Sequence, residues 1–181
     1  VAVIGAGVAG VELALAARRR LGPAATVTLV EAGTALAAVG PGARRALLRH
    51  LARARVTLVE NTPTSAVEPG ALRLAGGRRL PAAFLLGAAA SRPQSWLATT
   101  GLALDQGFVC VDETLRSVSD PAVFAAGDIA HLTHAPRPKA GVFAVREAPV
   151  LLHNLTAALT GQGRLRGYRP QRDYLKLIST G

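Results

Sequence analysis

The chain opens with a short apolar run that leads straight into the spacing Gly5-x-Gly7-x-x-Gly10. A helix-forming segment follows at residues 11–18, and a β-branched apolar segment follows at residues 26–30. This order predicts a strand, a glycine-rich turn, a helix and a second strand. In such a turn the first glycine permits a tight bend, the second lets a phosphate approach the backbone, and the third lets the helix pack closely on the strand. The helix N-terminus attracts an anion, so the segment predicts a turn that binds the pyrophosphate of a dinucleotide.

An acidic residue, Glu31, ends the second predicted strand 21 residues after Gly10. A carboxylate about 20 residues past the glycines binds a ribose 2′-hydroxyl and repels a 2′-phosphate. We therefore expect NAD(H) rather than NADP(H). Two alternatives stay open: Glu31 as an ordinary charge beside a turn without ligand, and a 2′-phosphate held by Arg44 or Arg45.

The net charge of +10 raises the question of a nucleic-acid partner. The arginines are spread along the chain, and Arg45, Arg49 and Arg53 recur four residues apart, as on the solvated face of a helix. Aromatic residues make up only 4% of the chain, which leaves little surface for base stacking. We expect no nucleic-acid partner.

Cysteine and histidine usage bounds the remaining chemistry. The single cysteine, Cys110, excludes an internal disulfide and a cysteine-based metal cluster, and the four histidines lack the spacing of metal ligands. We therefore expect no metal site. No run approaches the roughly 20 apolar residues of a membrane span, so a cytoplasmic protein is expected, with peripheral attachment to the inner face of the cell membrane left open.

The order of segments up to residue 59 predicts a parallel sheet with right-handed crossovers. Three short segments within residues 64–80, separated by glycine turns, predict an antiparallel meander. Residues 84–87 are then expected to return to the parallel sheet.

The region after residue 105 predicts a second arrangement. Short strands are expected at residues 107–111 and 114–117. A further apolar strand is expected to run into Gly127-Asp128, which would place the carboxylate at the carboxyl end of a strand, where α/β sheets bind ligands. A long helix follows to about residue 160.

Taken together, these residues resemble the two-dinucleotide flavoproteins: the pyridine nucleotide-disulfide reductases, the type II NADH dehydrogenases and their relatives. The resemblance implies an α/β fold in which a Rossmann-like NAD-binding domain, with its parallel sheet and antiparallel meander, is inserted in a split FAD-binding domain. Residues 1–104 would be the NAD(H)-binding domain, residues 105–163 the C-terminal half of the FAD-binding domain, and residues 164–181 the start of a C-terminal interface domain. The chain then looks truncated at both ends, without the first FAD-binding half.

The resemblance also assigns the flavin-binding residues. The apolar run into Gly127-Asp128 matches the second FAD motif of the family, whose aspartate holds the ribityl chain. Lys139-Ala140-Gly141 matches the start of a helix whose backbone N–H groups face the flavin pyrimidine. A helix N-terminus stabilises the negative charge that a reduced flavin gathers there.

Two further positions are assigned on the nicotinamide side. Glu12, in the family's Gly-Val-Glu-Leu-Ala pattern, would lie near the nicotinamide; the alternative is a first-turn acid that complements the helix dipole. Gly87-Ala88-Ala89 stands where the family carries Ala-Thr-Gly, so Gly87 is expected at the cofactor and Ala89 is expected to crowd it.

The implied activity is hydride transfer from NADH to FAD, and then electron delivery to a quinone or another small acceptor. A disulfide or protein acceptor and a non-catalytic NADH-sensing module are the alternatives. Residues 136–141 and 168–181 also resemble the NADH-dehydrogenase-like module fused to selenophosphate synthetase in some bacteria. A fused synthetase domain and a homodimer are therefore open, and the present segment alone is expected to be inactive.

Overall fold

The computed structural model describes residues 1–180. They form two compact units, one made of residues 1–90 with the segment from Lys176 onward, and the other of residues 91–175. The domains expected from the resemblance concern the ligand-binding halves of a longer protein, and their boundaries stay predictions. Gly181, the last residue of the expected interface domain, lies outside the described residues.

The first unit is built around the predicted parallel sheet. In chain order its elements are β1 (Ala2–Ile4), α1 (Val8–Leu21), β2 (Thr28–Val30), α2 (Pro41–Arg53), β3 (Thr57–Val59), β4 (Thr64–Glu68), β5 (Ala71–Leu74), β6 (Arg79–Pro81) and β7 (Leu85–Gly87). The sheet has the strand order β3-β2-β1-β7, and every neighbouring pair is parallel. This order places the two inner strands, β1 and β2, side by side, so that the turn after β1 lies next to the end of β2.

Alternate residues of the inner strands serve two separate cores. Val3 and Leu29 pack in a cluster with the buried faces of α1 and α2, which include Val11 and Leu51. Val30, the neighbour of Leu29, packs against the meander instead. Strands covered on both faces need predominantly apolar sequence, which explains the apolar run at residues 1–4 and the β-branched, mostly apolar run at residues 26–30, where Thr28 is buried as well.

The predicted meander is present as the antiparallel sheet β4-β5-β6. Gly70, with a φ of +73°, occupies the turn between β4 and β5. Glu68 accepts hydrogen bonds from Arg73 and Arg79 across the sheet, and these contacts lower the pKa of its carboxyl despite partial desolvation. The meander thus closes the second face of the parallel sheet without any helix.

The second unit contains β8 (Leu104–Asp105), β9 (Phe108–Val111), β10 (Ala130–Leu132) and α3 (Gly141–Thr160). β9 lies between antiparallel β8 and parallel β10. Asn154 of α3 is fully buried and donates to the carbonyl oxygens of Thr114 and Arg166, while its own oxygen accepts from the Arg166 N–H. A single polar side chain therefore ties the helix to two irregular segments.

The strand predicted over residues 114–117 is wrong. This stretch forms only single bridges, Val111 with Ser117 and Arg116 with Phe124. The Asp112 carboxylate accepts from the backbone N–H groups of Thr114 and Arg116, and Leu115 has a φ of +64°. An aspartate that bonds its own following backbone favours a turn over a strand.

The strand predicted to run into Gly127-Asp128 is also wrong. Before Gly127 only Phe124 makes a bridge, residues 127–129 form a single 3₁₀ turn, and β10 begins after it. Gly127 has a φ of +70°, which ends extended structure at that point. Asp128 consequently precedes a strand and does not follow one.

The described residues contain no helix that combines the length and the hydropathy needed to cross a membrane.

Candidate nucleotide-binding sites

The glycine-rich turn between β1 and α1 has two glycines for which a side chain has no room. A Cβ on Gly5, whose φ is +95°, would lie 2.6 Å from the Ala88 carbonyl oxygen, and one on Gly10 would lie 1.7 Å from the Gly5 carbonyl oxygen. A Cβ on Gly7 would meet nothing within 4 Å. Gly5 and Gly10 therefore fix the turn, while Gly7 leaves open space beside the start of α1.

The start of α1 offers backbone donors at this open space. The helix begins at Val8, Gly7 is its N-cap, and no described side chain caps it. The Val11 N–H donates to the Gly7 carbonyl oxygen at 3.1 Å, which is the first hydrogen bond of the helix. The N–H groups of the first turn, together with the helix dipole, form an anion-binding end that fits a pyrophosphate.

Glu31 lies at the end of β2, beside the glycine turn. Its Oε2 accepts from the Ala6 N–H at 2.6 Å and its Oε1 from the Gly33 N–H at 3.1 Å. A carboxylate has about four acceptor positions, so capacity remains for ribose hydroxyls. The carboxylate thus links the glycine turn to the strand end at which a ribose is expected, and its role as a ribose ligand stays a prediction.

Arg44, one alternative ligand for a 2′-phosphate, is engaged elsewhere. Its Nε donates to the Ala35 carbonyl oxygen at 2.9 Å, and its Nη2 lies 3.3 Å from Glu60. Glu60 also accepts from the Ala35 N–H at 2.7 Å. The guanidinium therefore organises the loop after β2 with its charge paired, whereas Arg45 is exposed on α2.

Glu12 is the fifth residue of α1 and lies beyond its first turn, which contains no acidic residue. Its interpretation as a first-turn acid is therefore wrong. The Oε1 of Glu12 accepts from the Ser179 N–H at 2.7 Å. Ile178, next to Ser179, packs against the core of the same unit. Glu12 thus holds the returning chain segment, and its expected place near a nicotinamide stays a prediction.

The residues that depart from the Ala-Thr-Gly pattern lie at and just after the end of β7. Gly87 ends β7 with open space around its missing side chain, and the Cα of Ala89 lies 3.0 Å from the position of a Gly5 Cβ. It is Ala90, with a φ of +40°, that adopts the backbone region favouring glycine. The backbone strain at Ala90 is a separate feature, and the crowding of the cofactor by Ala89 stays a prediction.

In the second unit, the turn expected to bind flavin is held from two directions. The Gly127 N–H donates to Oε2 of Glu147 at 2.5 Å. The Ser91 hydroxyl donates to Oδ2 of Asp128 at 2.5 Å. Asp128 is exposed, and its carboxylate has acceptor capacity left for hydroxyl groups of a ligand.

The segment before α3 places a lysine inside the unit. Lys139 donates to the Ala130 carbonyl oxygen at 2.5 Å and lies 4.1 Å from the centre of the Phe108 ring. Burial lowers the pKa of the Lys139 ammonium, and the carboxylates of Asp128 and Glu147 oppose that shift. The helix begins at Gly141 with Ala140 as N-cap, so backbone donors are present where the resemblance expects them.

These residues line one small cleft. It holds about 20 Å³, room for a water molecule and far less than a flavin needs. Exposed carboxylate oxygens suit the hydroxyls of a sugar alcohol chain, and helix N–H groups suit a carbonyl or an anion. The donor set therefore fits one wall of a flavin site. The lining residues are Gly127, Asp128, Ala130, His131, Leu132, Arg137, Pro138, Lys139, Ala140, Phe143 and Glu147.

Two polar residues that line this cleft were not predicted as residues of the site. Glu147 is only 2% exposed, and burial raises the pKa of its carboxyl against the opposing effects of the Gly127 N–H and Lys139. His131 Nδ1 lies 3.2 Å from Asp105 Oδ2. The sequence could have indicated Glu147, because it is a glutamate in a helix with few charges. It could not have indicated the pairing of His131 with Asp105, because these two residues lie far apart in sequence.

The comparisons with known proteins agree with this geometry. The model of the family described as pyridine nucleotide-disulphide oxidoreductase matches residues 1–148. An NADH dehydrogenase-like protein of Mycobacterium tuberculosis is 32% identical over 140 residues, which cover 72% of this chain and 35% of that protein. The chain therefore spans about a third of the length of the curated relatives it matches.

Solved structures show the same fold. A ferredoxin reductase for the CYP199A2 system from Rhodopseudomonas palustris superimposes with a TM-score of 0.73 and 25% identity, over 93% of this chain and 42% of that one. The reduced CoADR-RHD of Bacillus anthracis gives a TM-score of 0.69 and 28% identity, over 85% of this chain and 29% of that one. The matched family comprises NADH-dependent flavoprotein oxidoreductases that use FAD and NAD(P)H.

Proposed function

Because the chain belongs to the pyridine nucleotide-disulphide oxidoreductase family, we propose that the longer protein is an FAD-dependent NADH oxidoreductase with a quinone or another small electron acceptor. One observation carries the nucleotide part of this proposal. The glycine turn has room at Gly7 and a carboxylate, Glu31, bound to its Ala6 N–H. A pyrophosphate and an unphosphorylated ribose suit these two features.

The residues of the first unit would bind and orient the nicotinamide nucleotide. The first-turn N–H groups of α1 bind the pyrophosphate, and Glu31 accepts from a ribose hydroxyl while its charge repels a 2′-phosphate. Arg44 does not offset that repulsion, because its charge is paired with Glu60. NADH is therefore the proposed donor.

The residues of the second unit would contribute one wall of the flavin site. When bound, FAD accepts a hydride from NADH and passes electrons to the acceptor. Asp128 would accept from hydroxyls of the flavin side chain, with Ser91 fixing its second oxygen. The N-terminus of α3 would stabilise negative charge at the flavin.

Nucleotide selectivity tests this proposal in the whole natural protein. We compare the dissociation constants of NADH and NADPH in wild type, Glu31→Gln and Arg45→Gln. Glu31→Gln keeps an acceptor for the Ala6 N–H but removes the charge, so NADPH binding is expected to strengthen. The ratio of the NADPH dissociation constant to the NADH dissociation constant should fall about tenfold, which corresponds to one charged hydrogen bond.

Arg45→Gln is the matched control. The substitution removes a charge from the same unit, and the exposed Arg45 does not contact Glu31. It should leave both constants unchanged. A loss of NADPH binding in Arg45→Gln, with no response to Glu31→Gln, would contradict the proposal and support a 2′-phosphate site.

A protein acceptor is the second candidate, because one structural neighbour is by its name a ferredoxin reductase. Steady-state oxidation of NADH with a short-chain quinone, and separately with a ferredoxin, distinguishes the two. Faster turnover with the ferredoxin would contradict the proposal of a small acceptor and support a protein acceptor. Oxidation with neither, in a protein that binds NADH, would favour a sensing module.

The finer proposals concern the whole protein. We include a fusion to selenophosphate synthetase, supported by the sequence of residues 136–141 and 168–181, and the mass of the natural polypeptide tests it. A homodimer is tested by sedimentation of that polypeptide. Attachment to the inner face of the cell membrane is tested by flotation with anionic vesicles.

A further inference from the structure

Glu147 is a buried carboxylate without a role in the proposed chemistry. It lies in the second turn of α3 and is 2% exposed. Ionised carboxylates are rarely buried unless hydrogen bonds or a countercharge compensate them. Here the Gly127 N–H bonds Oε2 at 2.5 Å, and the Lys139 ammonium opposes the effect of burial on the carboxyl. Burial of this carboxylate costs folding energy, which points to a role for the residue that it binds.

Glu147 binds Gly127, which is the first residue of the Gly127–Ile129 turn. Gly127 has a φ of +70°, and a Cβ there would lie 3.2 Å from the Cβ of Ala144. Ala144 and Glu147 are three residues apart and share one face of α3. One helix face thus fixes Gly127 both by packing and by a hydrogen bond.

The next residue is Asp128, whose carboxylate is the expected ligand of the flavin side chain. Its Oδ2 is already bound by Ser91 at 2.5 Å. With the backbone before it held by Glu147 and one oxygen held by Ser91, the direction of the carboxylate is set from both ends. A shift of the backbone at Gly127 would therefore move the carboxylate away from a bound flavin.

We propose that Glu147 is a positioning residue of the flavin site, which anchors the Gly127–Ile129 turn through the Gly127 N–H and thereby fixes Asp128 for the hydroxyls of FAD. The inference rests on the proposed function, because it assumes that Asp128 contacts the flavin. Glu147 itself does not contact the flavin in this account. Its hydrogen bond matters, and its full charge does not.

The test measures FAD affinity in the whole natural protein after removal and return of the flavin. The variants are Glu147→Gln, which keeps an acceptor oxygen, Glu147→Leu, which keeps the volume without it, Asp128→Asn, and the double variant Glu147→Leu with Asp128→Asn. Leu159→Gln is the control on the same helix, because Leu159 is 86% exposed.

We expect Glu147→Gln and Leu159→Gln to change the dissociation constant of FAD less than about threefold. Glu147→Leu should weaken FAD binding about tenfold, which corresponds to the cost of leaving the Gly127 N–H without its partner. In the Asp128→Asn background, Glu147→Leu should add less than about threefold, because residues that act through one contact are not additive.

Hydrogen exchange provides a readout that does not depend on flavin. The Gly127 amide should stay protected in Glu147→Gln and exchange faster in Glu147→Leu, while amides in the last turns of α3 keep their wild-type rates. A merely structural role of Glu147 would instead change exchange throughout α3.

Three results would overturn the inference: wild-type affinity in Glu147→Leu, additive losses in the double variant, or a loss in Glu147→Gln as large as in Glu147→Leu. If Glu147→Leu does not fold, Gly127→Ala displaces the same turn against Ala144, and unchanged FAD affinity in that variant would equally overturn it. A wild-type protein that binds no FAD would refute the proposed function, which is a distinguishable failure.

Discussion

Replacement of Gly10 by alanine is the sharpest test of the glycine turn. A Cβ at this position would lie 1.7 Å from the Gly5 carbonyl oxygen, well inside the 3.0 Å that real Cβ atoms respect. The opposing atom belongs to the backbone of a turn that is itself held by the Gly5 N–H bond to Val30 at 2.8 Å. Neither side can yield by rotating a side chain, so α1 must move by about 1.3 Å, the difference of the two distances.

The expected cost follows from this displacement. Overpacking a close-packed site costs about 1–3 kcal/mol or more. The substitution recovers at most about 1 kcal/mol, because alanine favours a helix over glycine. Because the opposing atom is backbone, we take the upper end of that range and expect Gly10→Ala to lower the free energy of unfolding by about 2 kcal/mol. This is a large part of the roughly 5–15 kcal/mol by which a domain is stable.

Gly7→Ala is the matched control, because a Cβ there meets nothing within 4 Å and its φ of −71° suits any residue. Urea unfolding should show a clearly lower midpoint for Gly10→Ala and a smaller shift for Gly7→Ala, in which only the N-cap preference for glycine over alanine is lost. NADH affinity should fall in Gly7→Ala, because the methyl group occupies the space expected for the pyrophosphate. A wild-type midpoint for Gly10→Ala would refute the close packing of α1 on the turn.

Three further predictions concern single positions. Ala90→Gly should raise the free energy of unfolding by about 0.5–1 kcal/mol. Removal of a left-handed alanine relieves about 1–2 kcal/mol, and the greater flexibility of glycine in the unfolded chain offsets part of this gain. A lower urea midpoint would contradict the strain at Ala90. Burial raises the pKa of Glu147 above its unfolded value, so stability present at low pH is lost as pH rises through the folded pKa. Wild type should therefore lose stability relative to Glu147→Gln as the pH rises above 4.5, the ordinary pKa of a glutamate, in thermal unfolding, and parallel pH profiles would refute this. Burial, and then the charge of Asp105, raise the pKa of the half-buried Cys110 thiol, so iodoacetamide at pH 8 should alkylate the native protein more slowly than the urea-unfolded chain; equal rates would count against it.

The first unit was predictable because its signals are local. The glycine spacing, the apolar strands and the amphipathic α2 each fix their own segment, and the alternation of strands and helices predicts that the strands pair in parallel. The meander was equally visible from its glycine turns.

The second unit was less predictable because side chains decide its backbone. The Asp112 carboxylate holds residues 112–116 in a turn, and the predicted strand at residues 114–117 therefore does not form. The approach of Glu147 to Gly127 spans 20 residues, and no local pattern indicates it. Asp128 was expected as a ligand from the resemblance and stays a prediction, whereas the strand that was expected to precede it does not form.

The central claim is that this chain belongs to an enzyme that takes hydride from NADH onto FAD. The most direct measurement mixes the whole natural protein with NADH under anaerobic conditions in a stopped-flow instrument and follows the visible absorbance of the flavin. The account predicts rapid bleaching by NADH and much slower bleaching by NADPH. A protein that carries no flavin, or a bound flavin that keeps its colour with both nucleotides, would contradict it.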